Sequence, residues 1–513
     1  MPVRPWVGAD KSQAVAHRWG VPSALLRCLP LALLAAAALW LRTHDLARRP
    51  MHADEANQGV KTGELVEAGR YAFDPRDHHG PTLYYLAAAV ATLRGQSTLA
   101  ALDETTLRLV PALAGALAVP LLVVLARRRK PGGPGLSEPA ALAAGAYLAL
   151  APPAVYYSRY FIQETLLATG ALAVAVAMRC WWHSGLTRWA VAAGAGLGLM
   201  QGTKASTPLF VAVGAIALLL SRAAARPAHP QPSRDLLAGL GAAAVTAGLL
   251  YSSFGTHWAG LRDAFSVYLH ALLRFGAEAP PTGHEKPWFY YLQLLGWNRS
   301  GGLLWQQVTL SALALAGLAV AARRRDPLLR GVAIYGLLIL SAFSAFPYKT
   351  PWHAVHFVAP AAVLAGLALD ALAGRRAGQV LAAAVALLVG LSLWQQTRLV
   401  VFLRPADGRN PWAYVHSSTD VLKLRPLAEA ARAARPTEPI RVISEEYWPL
   451  PWYLRGLPDI GYWTEVPPDC DGALVIASVA QADAVRARLR RPARESFVGL
   501  RPGFLCVVFQ PEP

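Results

Sequence analysis

The chain has 513 residues, of which 54% are hydrophobic and 16% charged, and its mean hydropathy is +0.32. This charged fraction is too low for the surface of a soluble enzyme of this length. The formal net charge of +18 does not indicate a nucleic-acid-binding protein, because the basic residues stand in short runs directly after apolar segments. Such runs are typical of the cytoplasmic loops of membrane proteins.

The N-terminal part predicts one membrane span followed by a shorter apolar helix. Residues 24–41 form the first predicted span, and the basic residues before it place the N-terminus in the cytoplasm. No small-residue cleavage site follows this apolar stretch, so we expect the span to be retained. Residues 83–93 are apolar but too few to cross a bilayer upright, so they predict an interfacial or re-entrant helix.

The next apolar stretches predict ten further spans in alternating orientation. The first of them covers residues 107–126 and ends in the basic run 127–130. The others lie at residues 137–154, 163–180, 189–203, 206–221, 236–251, 303–322, 329–346, 353–372 and 378–395. Every connection that this threading assigns to the cytoplasm carries arginine. The sequence therefore predicts a mainly α, multi-pass protein of the inner (plasma) membrane with about eleven transmembrane helices.

The same threading places two long loops and the C-terminal tail on the extracytoplasmic side. The loops cover residues 42–106 and 252–302 of a transmembrane domain predicted at 1–395. The tail, 396–513, predicts a small α/β domain, with a helix that begins near Ser417 and ends near Arg435. Short strand-like runs lie at 440–444, 473–478 and 504–509, and a helical stretch lies at 480–491.

Two cysteines, Cys470 and Cys506, lie in this extracytoplasmic tail. An oxidising compartment permits a disulfide between them, and two free thiols are the alternative.

The first extracytoplasmic loop holds the most informative polar residues. Asp54 and Glu55 follow the first span by about a dozen positions, and a stretch rich in Tyr, His and Gly-Pro comes after them. An acid pair at a membrane surface is suited to proton transfer in catalysis. The alternative is that both acids only begin a helix.

Six motifs in this chain resemble the GT-C clan of polyprenyl-phosphate-sugar-dependent glycosyltransferases, which includes protein O-mannosyltransferases and lipid A aminoarabinose transferases. The resemblance covers nearly the whole chain and is nearest to a prokaryotic branch named flippase-activity-associated proteins of archaeal N-glycosylation. The motifs are His52-Ala-Asp54-Glu55-Ala56, Tyr71-Ala-Phe-Asp74-Pro75, His79-Gly80-Pro81, Ser158-Arg159-Tyr160-Phe161-Ile162-Gln163-Glu164, Tyr348-Lys349-Thr350-Pro351-Trp352-His353 and Trp448-Pro449-Leu450-Pro451-Trp452-Tyr453-Leu454-Arg455.

The resemblance implies a mechanism in which one carboxylate of the first loop is the general base. The base takes a proton from the acceptor hydroxyl, which attacks the anomeric carbon of a lipid-phosphate sugar with inversion. The resemblance assigns this role to Asp54, with Glu55 as the alternate. A monophosphate lipid as leaving group needs no nucleotide site, and the sequence has no Walker-type phosphate loop.

A third acid and several cations complete the predicted site. Glu164 opens a predicted span on the same side as Asp54 and is either catalytic or paired with Arg159. The departing phosphate needs cations near the bilayer, for which Arg159, Lys204 and Lys349 are the candidates, or else each snorkels at a helix end. Lys349 is the favoured one, because Pro351 and the aromatic residues beside it shape a short loop between two predicted spans. We also include three residues of the motifs in the substrate-binding set: Tyr348, His353 and His79.

The histidines and tryptophans leave further alternatives open. His52, His78, His79 and His353 match no established zinc spacing, so no metal is assigned, and a divalent metal near Asp54 stays an alternative. The segment Trp448 to Trp452 either packs against the membrane or lines a sugar site, and packing is favoured.

The sequence thus predicts a membrane glycosyltransferase, with two alternatives from other classes. The second hypothesis is a flippase, or flippase-associated protein, that translocates a polyprenyl-linked sugar without transferring it. An ion-coupled transporter is disfavoured, because the predicted spans hold almost no ionisable groups away from their ends, His356 being the main exception. The predicted partners are a polyprenyl-phosphate-linked sugar, undecaprenyl rather than dolichyl, the lipid bilayer, and a glycan, lipid or protein acceptor.

Overall fold

The computed structural model describes residues 23–76, 79–221, 231–275 and 283–512. The described part up to residue 403 is mostly helical, and a helix stands at each of the predicted spans. In chain order these helices are α1 (Ser23–Thr43), α2 (Ala53–Ala68), α3 (Thr82–Leu93), α4 (Glu104–Ala126), α5 (Glu138–Leu150), α6 (Pro152–Ser158), α7 (Glu164–Ser184), α8 (Thr187–Gln201), α9 (Thr207–Leu220), α10 (Pro232–Tyr251), α11 (Ala259–Phe275), α12 (Tyr290–Leu295), α13 (Val308–Arg323), α14 (Pro327–Ala345), α15 (Val355–Leu372) and α16 (Arg376–Thr397).

Among the described helices, five are long and apolar enough to cross a membrane by length and composition: α4, α7, α14, α15 and α16. The pair α5 and α6 makes a sixth span if counted together, with a bend of 55° between them. The bend follows from Pro152 and Pro153, which lack the N–H groups needed to continue the hydrogen bonding of α5. Helices α9 and α13 and the segment Cys28–Thr43 of α1 are apolar but shorter. The number of eleven crossings therefore stays a prediction.

The loop predicted at 252–302 contains more structure than the sequence indicated. Helix α11 is amphipathic and exposes Phe265, Leu269 and Leu273, which recur every fourth residue along one side. The prediction that a span begins at residue 303 is wrong, because residues 303–306 form a strand. Strand β1 (Trp297–Ser300) and strand β2 (Leu303–Gln306) pair as an antiparallel hairpin, and α13 begins only afterwards.

The tail folds as the predicted α/β domain around a five-stranded sheet. Its strands are β3 (Ile440–Ile443), β4 (Ile460–Trp463), β5 (Leu474–Ser478), β6 (Ala493–Arg501) and β7 (Phe504–Pro511), in the order β4-β3-β5-β7-β6. Strand β3 runs parallel to β4 and β5, and β7 runs antiparallel to β5 and β6. Helices α17 (Leu424–Ala434), α18 (Leu450–Tyr453) and α19 (Val479–Arg486) lie between or before the strands. The three predicted strands and both predicted helices are confirmed, whereas β4 and β6 were missed.

The two tail cysteines form no disulfide. Cys470 and Cys506 are both buried free thiols. Cys470 lies before β5 and its Sγ donates to the carbonyl oxygen of Pro467 at 3.4 Å, whereas Cys506 lies within β7. Burial raises the pKa of Cys506 to about 12, so this thiol is unreactive at neutral pH.

The tail domain packs directly on the segment between α1 and α4, which the sequence predicts to be extracytoplasmic. The ring of Trp452 is fully buried against Gly59 of α2, and its indole N–H donates to Glu104 Oε1 at 2.8 Å. The backbone N–H of Met51 donates to the hydroxyl of Tyr453 at 2.7 Å. The expected packing against the membrane is wrong for Trp452, because its ring is buried within the protein, where it joins the tail domain to the helix that carries the acid pair.

Candidate active site

Helix α2 begins at its acid pair because His52 caps it. The His52 ring Nδ1 accepts a hydrogen bond from the Asp54 backbone N–H at 3.0 Å. In return, the Glu55 carboxylate accepts from the His52 backbone N–H at 3.1 Å, which completes a reciprocal capping box. Asp54 and Glu55 therefore lie in the first turn, where the helix dipole stabilises negative charge.

Glu55 is fully buried, and both of its carboxylate oxygens are occupied. Arg108 donates from Nε to Oε1 at 2.8 Å and from Nη2 to Oε2 at 2.9 Å. Arg49 donates to Oε2 at 3.1 Å, and the backbone N–H of Phe161 donates to Oε1 at 2.9 Å. Burial raises the pKa of Glu55, but the Arg108 and Arg49 guanidiniums outweigh it and hold that pKa well below its usual range. Such a carboxylate is a poor proton acceptor, and its position indicates a structural anchor.

Asp54 contrasts with its neighbour, because its side chain is 49% exposed. Its nearest ionisable neighbour is the His52 ring, whose Nδ1 is 3.8 Å from Oδ2. A half-exposed carboxylate held at a capped helix start can contact a substrate hydroxyl. The geometry therefore favours Asp54 over Glu55 as the general base.

Glu164 belongs to a second cluster of charged groups. It lies in the first turn of α7, is buried, and forms an ion pair with the ammonium of Lys204. The Nε2 of His353 is 3.9 Å from the same carboxylate oxygen. The alternative that Glu164 pairs with Arg159 is wrong, because Lys204 takes that position.

Arg159 is engaged in holding the end of α1. Its guanidinium donates to the carbonyl oxygens of His44 at 2.6 Å and of Asp45 at 2.9 Å, and also to two carbonyls of α1 itself. These carbonyl groups at a helix C-terminus otherwise lack partners within the helix. Arg159 is thus committed to the backbone and is a weaker phosphate candidate than Lys204.

Lys349 also donates to backbone. Its ammonium contacts the carbonyl oxygen of Lys286 at 3.1 Å and that of Phe346, and the side chain is almost fully buried. Burial lowers the pKa of Lys349. The side chain therefore ties the loop before α15 to the segment before α12, where the ring of Tyr348 lies 5.0 Å from that of His284.

The two clusters lie side by side. The rings of Trp352 and His52 are 6.1 Å apart, and His353, the next residue after Trp352, adjoins Glu164. His79 is exposed and within electrostatic range of His353. Trp352 and His353 thus connect the cap of α2 to the Lys204–Glu164–His353 cluster, whereas His78 lies outside the described residues.

Sequence reasoning missed the two arginines that form ion pairs with the buried Glu55. Arg108 stands at the start of a predicted span and Arg49 follows the first span. Arg108 falls inside the apolar run that begins at residue 107, where an ionisable side chain usually has a partner, but nothing in the sequence links it to an acid 53 positions away. His356, the exception noted within the spans, packs between the rings of Phe343 and Phe210.

In the part of the chain that the structure describes, no three His, Cys, Asp or Glu side chains come together closely enough to hold a metal ion. His52 instead caps α2, and His353 contacts the hydroxyl of Tyr291 through Nδ1 at 3.0 Å.

An apolar groove of about 430 Å³ lies between α8, α9 and α10. Its walls include Leu197, Val211 and Ala243, and its polar lining comes from Gln201 and Thr207. These two residues flank Lys204 in the sequence, so the polar part of the groove adjoins the second cluster.

The comparisons with known proteins agree with this architecture. Residues 78–251 match the sequence family described as dolichyl-phosphate-mannose-protein mannosyltransferase. No curated protein matches the chain in sequence.

Two solved structures share the fold over most of the chain. ArnT from Cupriavidus metallidurans bound to undecaprenyl phosphate has 18% identity and a TM-score of 0.65, covering 93% of this chain and 97% of its own. The archaeal oligosaccharyltransferase AglB from Archaeoglobus fulgidus, in complex with an inhibitory peptide and a dolichol-phosphate, has 13% identity and a TM-score of 0.57, covering 89% of this chain and 70% of its own. The predicted GT-C-type fold is confirmed.

Proposed function

We propose that this chain is an integral-membrane glycosyltransferase that moves a sugar from a polyprenyl-phosphate donor to an acceptor on the extracytoplasmic face. The proposal is supported by a fold shared with ArnT and AglB and by the matched mannosyltransferase family. The observation that carries it is the difference between the two acids. Glu55 is buried and bonded to Arg49 and Arg108, whereas the carboxylate of Asp54 is half-exposed and can contact a substrate.

In this mechanism Asp54 accepts the proton of the acceptor hydroxyl while the hydroxyl oxygen attacks the anomeric carbon. The bond from the anomeric carbon to the lipid phosphate breaks on the opposite side, so the configuration inverts. The capping box holds the Asp54 backbone in place, and general-base catalysis of this kind contributes roughly 10²–10⁴-fold to a rate.

Lys204 is the best candidate for binding the donor phosphate. It is the cation next to the groove, and its present partner Glu164 is a carboxylate that a phosphate can replace. The groove between α8, α9 and α10 is apolar and suits an isoprenoid chain. Lys349 is less suitable, because it is already bonded to two carbonyl oxygens.

The test uses purified full-length protein in detergent, tritiated undecaprenyl-phosphate sugars, and a membrane extract of the host as the source of acceptor. We expect label to leave the lipid with the wild type and not with Asp54→Asn. Lys204→Met should raise the KM for the donor, whereas Lys349→Met, the matched control, should lower thermal stability more than donor affinity.

If the wild type releases no label from any donor, the transferase proposal is wrong. Reconstituted vesicles then test the alternative, because a flippase would expose the lipid-linked sugar on both faces without transferring it.

A further inference from the structure

His416 lies in the stretch between α16 and the tail domain, yet its ring packs at the start of α2. The ring centroids of His416 and His52 are 5.8 Å apart, and those of His416 and Tyr160 are 5.9 Å apart. The side chain is buried, with 1% of its surface exposed. The segment that leads into the tail domain therefore contributes a side chain to the wall beside the Asp54 helix.

The contacts of His416 determine which ring nitrogen carries the proton. Nδ1 is 3.1 Å from the carbonyl oxygen of Ser417, which can only accept, so Nδ1 must carry the hydrogen. Burial, reinforced by the charge of Arg49, holds the pKa of His416 well below its usual value. The ring is therefore neutral, and Nε2 has a free lone pair.

This Nε2 is buried, and none of the described residues donates a hydrogen bond to it. Buried polar atoms in native proteins almost always have a partner, either in the protein or in an ordered water. The His52 ring carries its hydrogen on Nε2, because its Nδ1 accepts from the Asp54 N–H, but this Nε2–H makes no hydrogen bond to His416 Nε2. Within the described residues the partner is therefore missing, which leaves room for a donor on a bound molecule.

We propose that His416 Nε2 accepts a hydrogen bond from a hydroxyl group of the substrate, carried by the transferred sugar or by the acceptor. This inference rests on the proposed glycosyltransferase function and adds a binding residue to it. The rings of Tyr160 and Trp352 both adjoin His52 and are buried with it, so this position opens only towards the half-exposed Asp54. A hydroxyl-bearing ring held there lies next to both Asp54 and His416.

The experiment compares wild type with His416→Ala, His416→Gln and His416→Asn in the full-length protein. Glutamine places a carbonyl oxygen near the position of Nε2, whereas asparagine reproduces only the Nδ1 donor to Ser417. Initial rates are measured against the concentration of tritiated undecaprenyl-phosphate sugar and against that of the acceptor extract, and thermal stability is recorded for each variant.

We expect the alanine and asparagine variants to lose about tenfold in kcat/KM, and the glutamine variant to stay close to wild type. A raised KM for the donor assigns the hydroxyl to the sugar, and a raised KM for the extract assigns it to the acceptor. Rescue by asparagine but not by glutamine would overturn the inference in favour of the Ser417 contact.

Unchanged kcat/KM in all three variants, with or without a loss of stability, would equally overturn it, since an ordered water would then be the partner. If the wild type itself transfers no label, the proposed function fails and this inference fails with it. If the wild type transfers label and all three variants match it, only this inference fails.

Discussion

At the scale of single residues, the adjacent acids Asp54 and Glu55 should respond in opposite ways to loss of charge. Asp54→Asn should reduce turnover by about 10²–10⁴-fold with little change in stability, because the side chain is half-exposed and lies 3.8 Å from a His52 ring nitrogen that itself accepts a hydrogen bond. Glu55→Gln should destabilise the fold by about 3 kcal/mol, since it leaves Arg49 and Arg108 buried without a counter-charge.

The check is a pair of measurements on each variant, turnover of labelled donor and thermal unfolding in detergent. An Asp54→Asn protein that unfolds far earlier than Glu55→Gln would reverse the two assignments.

The buried histidines His52 and His416 predict a dependence of stability on pH. Burial lowers the pKa of both below the value of about 6.5 expected in the unfolded chain. The unfolded state therefore takes up protons first as the pH falls, so the stabilising contribution is present above about pH 6.5 and declines below it.

We expect the melting temperature to fall between pH 7 and pH 5. The double variant His52→Asn/His416→Asn keeps a residue suited to capping α2 and a donor to Ser417, and it should flatten this profile. Glu55 does not interfere in this range, because its low pKa makes it lose charge only in stronger acid. An equally steep profile in the double variant would refute the explanation.

The sequence identified the site residues only in part, for reasons visible in these same side chains. Asp54 was identified through a motif, but the motif contains both acids and does not say which one is buried. That distinction depends on Arg108, which the fold brings to Glu55 from α4. Likewise, the sequence favoured Lys349 for the phosphate, and only the structure showed that Lys349 and Arg159 both bond to backbone carbonyls.

At the scale of elements, Gly59 is where α2 and the tail domain meet. A Cβ at Gly59 would lie 2.8 Å from the Trp452 ring and 2.9 Å from Leu107. Gly59→Ala should therefore cost about 1–3 kcal/mol of stability and lower turnover, because the helix that carries Asp54 must shift.

The matched control is Gly241→Ala in α10, where a Cβ would meet nothing within 4 Å. There the change should be neutral or slightly stabilising. Thermal unfolding and turnover of the two variants check the prediction, and equal behaviour of both would contradict the proposed role of the contact with Trp452.

Elements were predictable where one physical signal dominated. Long apolar runs gave the helices of the membrane part, and alternating or β-branched runs gave β3, β5 and β7. Helix α11 was missed because its apolar residues cover one side only and Arg262 and Asp263 interrupt the run. Strand β4 was missed because it has only four residues, one of which is glycine.

At the scale of the whole molecule, the basic loops predict one orientation in the membrane. Alkaline phosphatase fused after residue 513 should be active, because the tail domain is expected outside the cytoplasm. The same reporter inserted in the basic loop 130–136 should be inactive, and a green fluorescent protein should show the opposite pattern. An active reporter at 130–136 would invalidate the threading and with it the external position of Asp54.

The contact of Met51 with Tyr453 spans 402 positions of the chain, and this has a consequence for biosynthesis. The ribosome delivers the Asp54 helix early, but the segments that hold it in place and add His416 emerge only after the last membrane helix. In the predicted orientation, the tail then folds on the far side of the bilayer before the site is whole. A nascent or prematurely terminated chain therefore lacks a finished site.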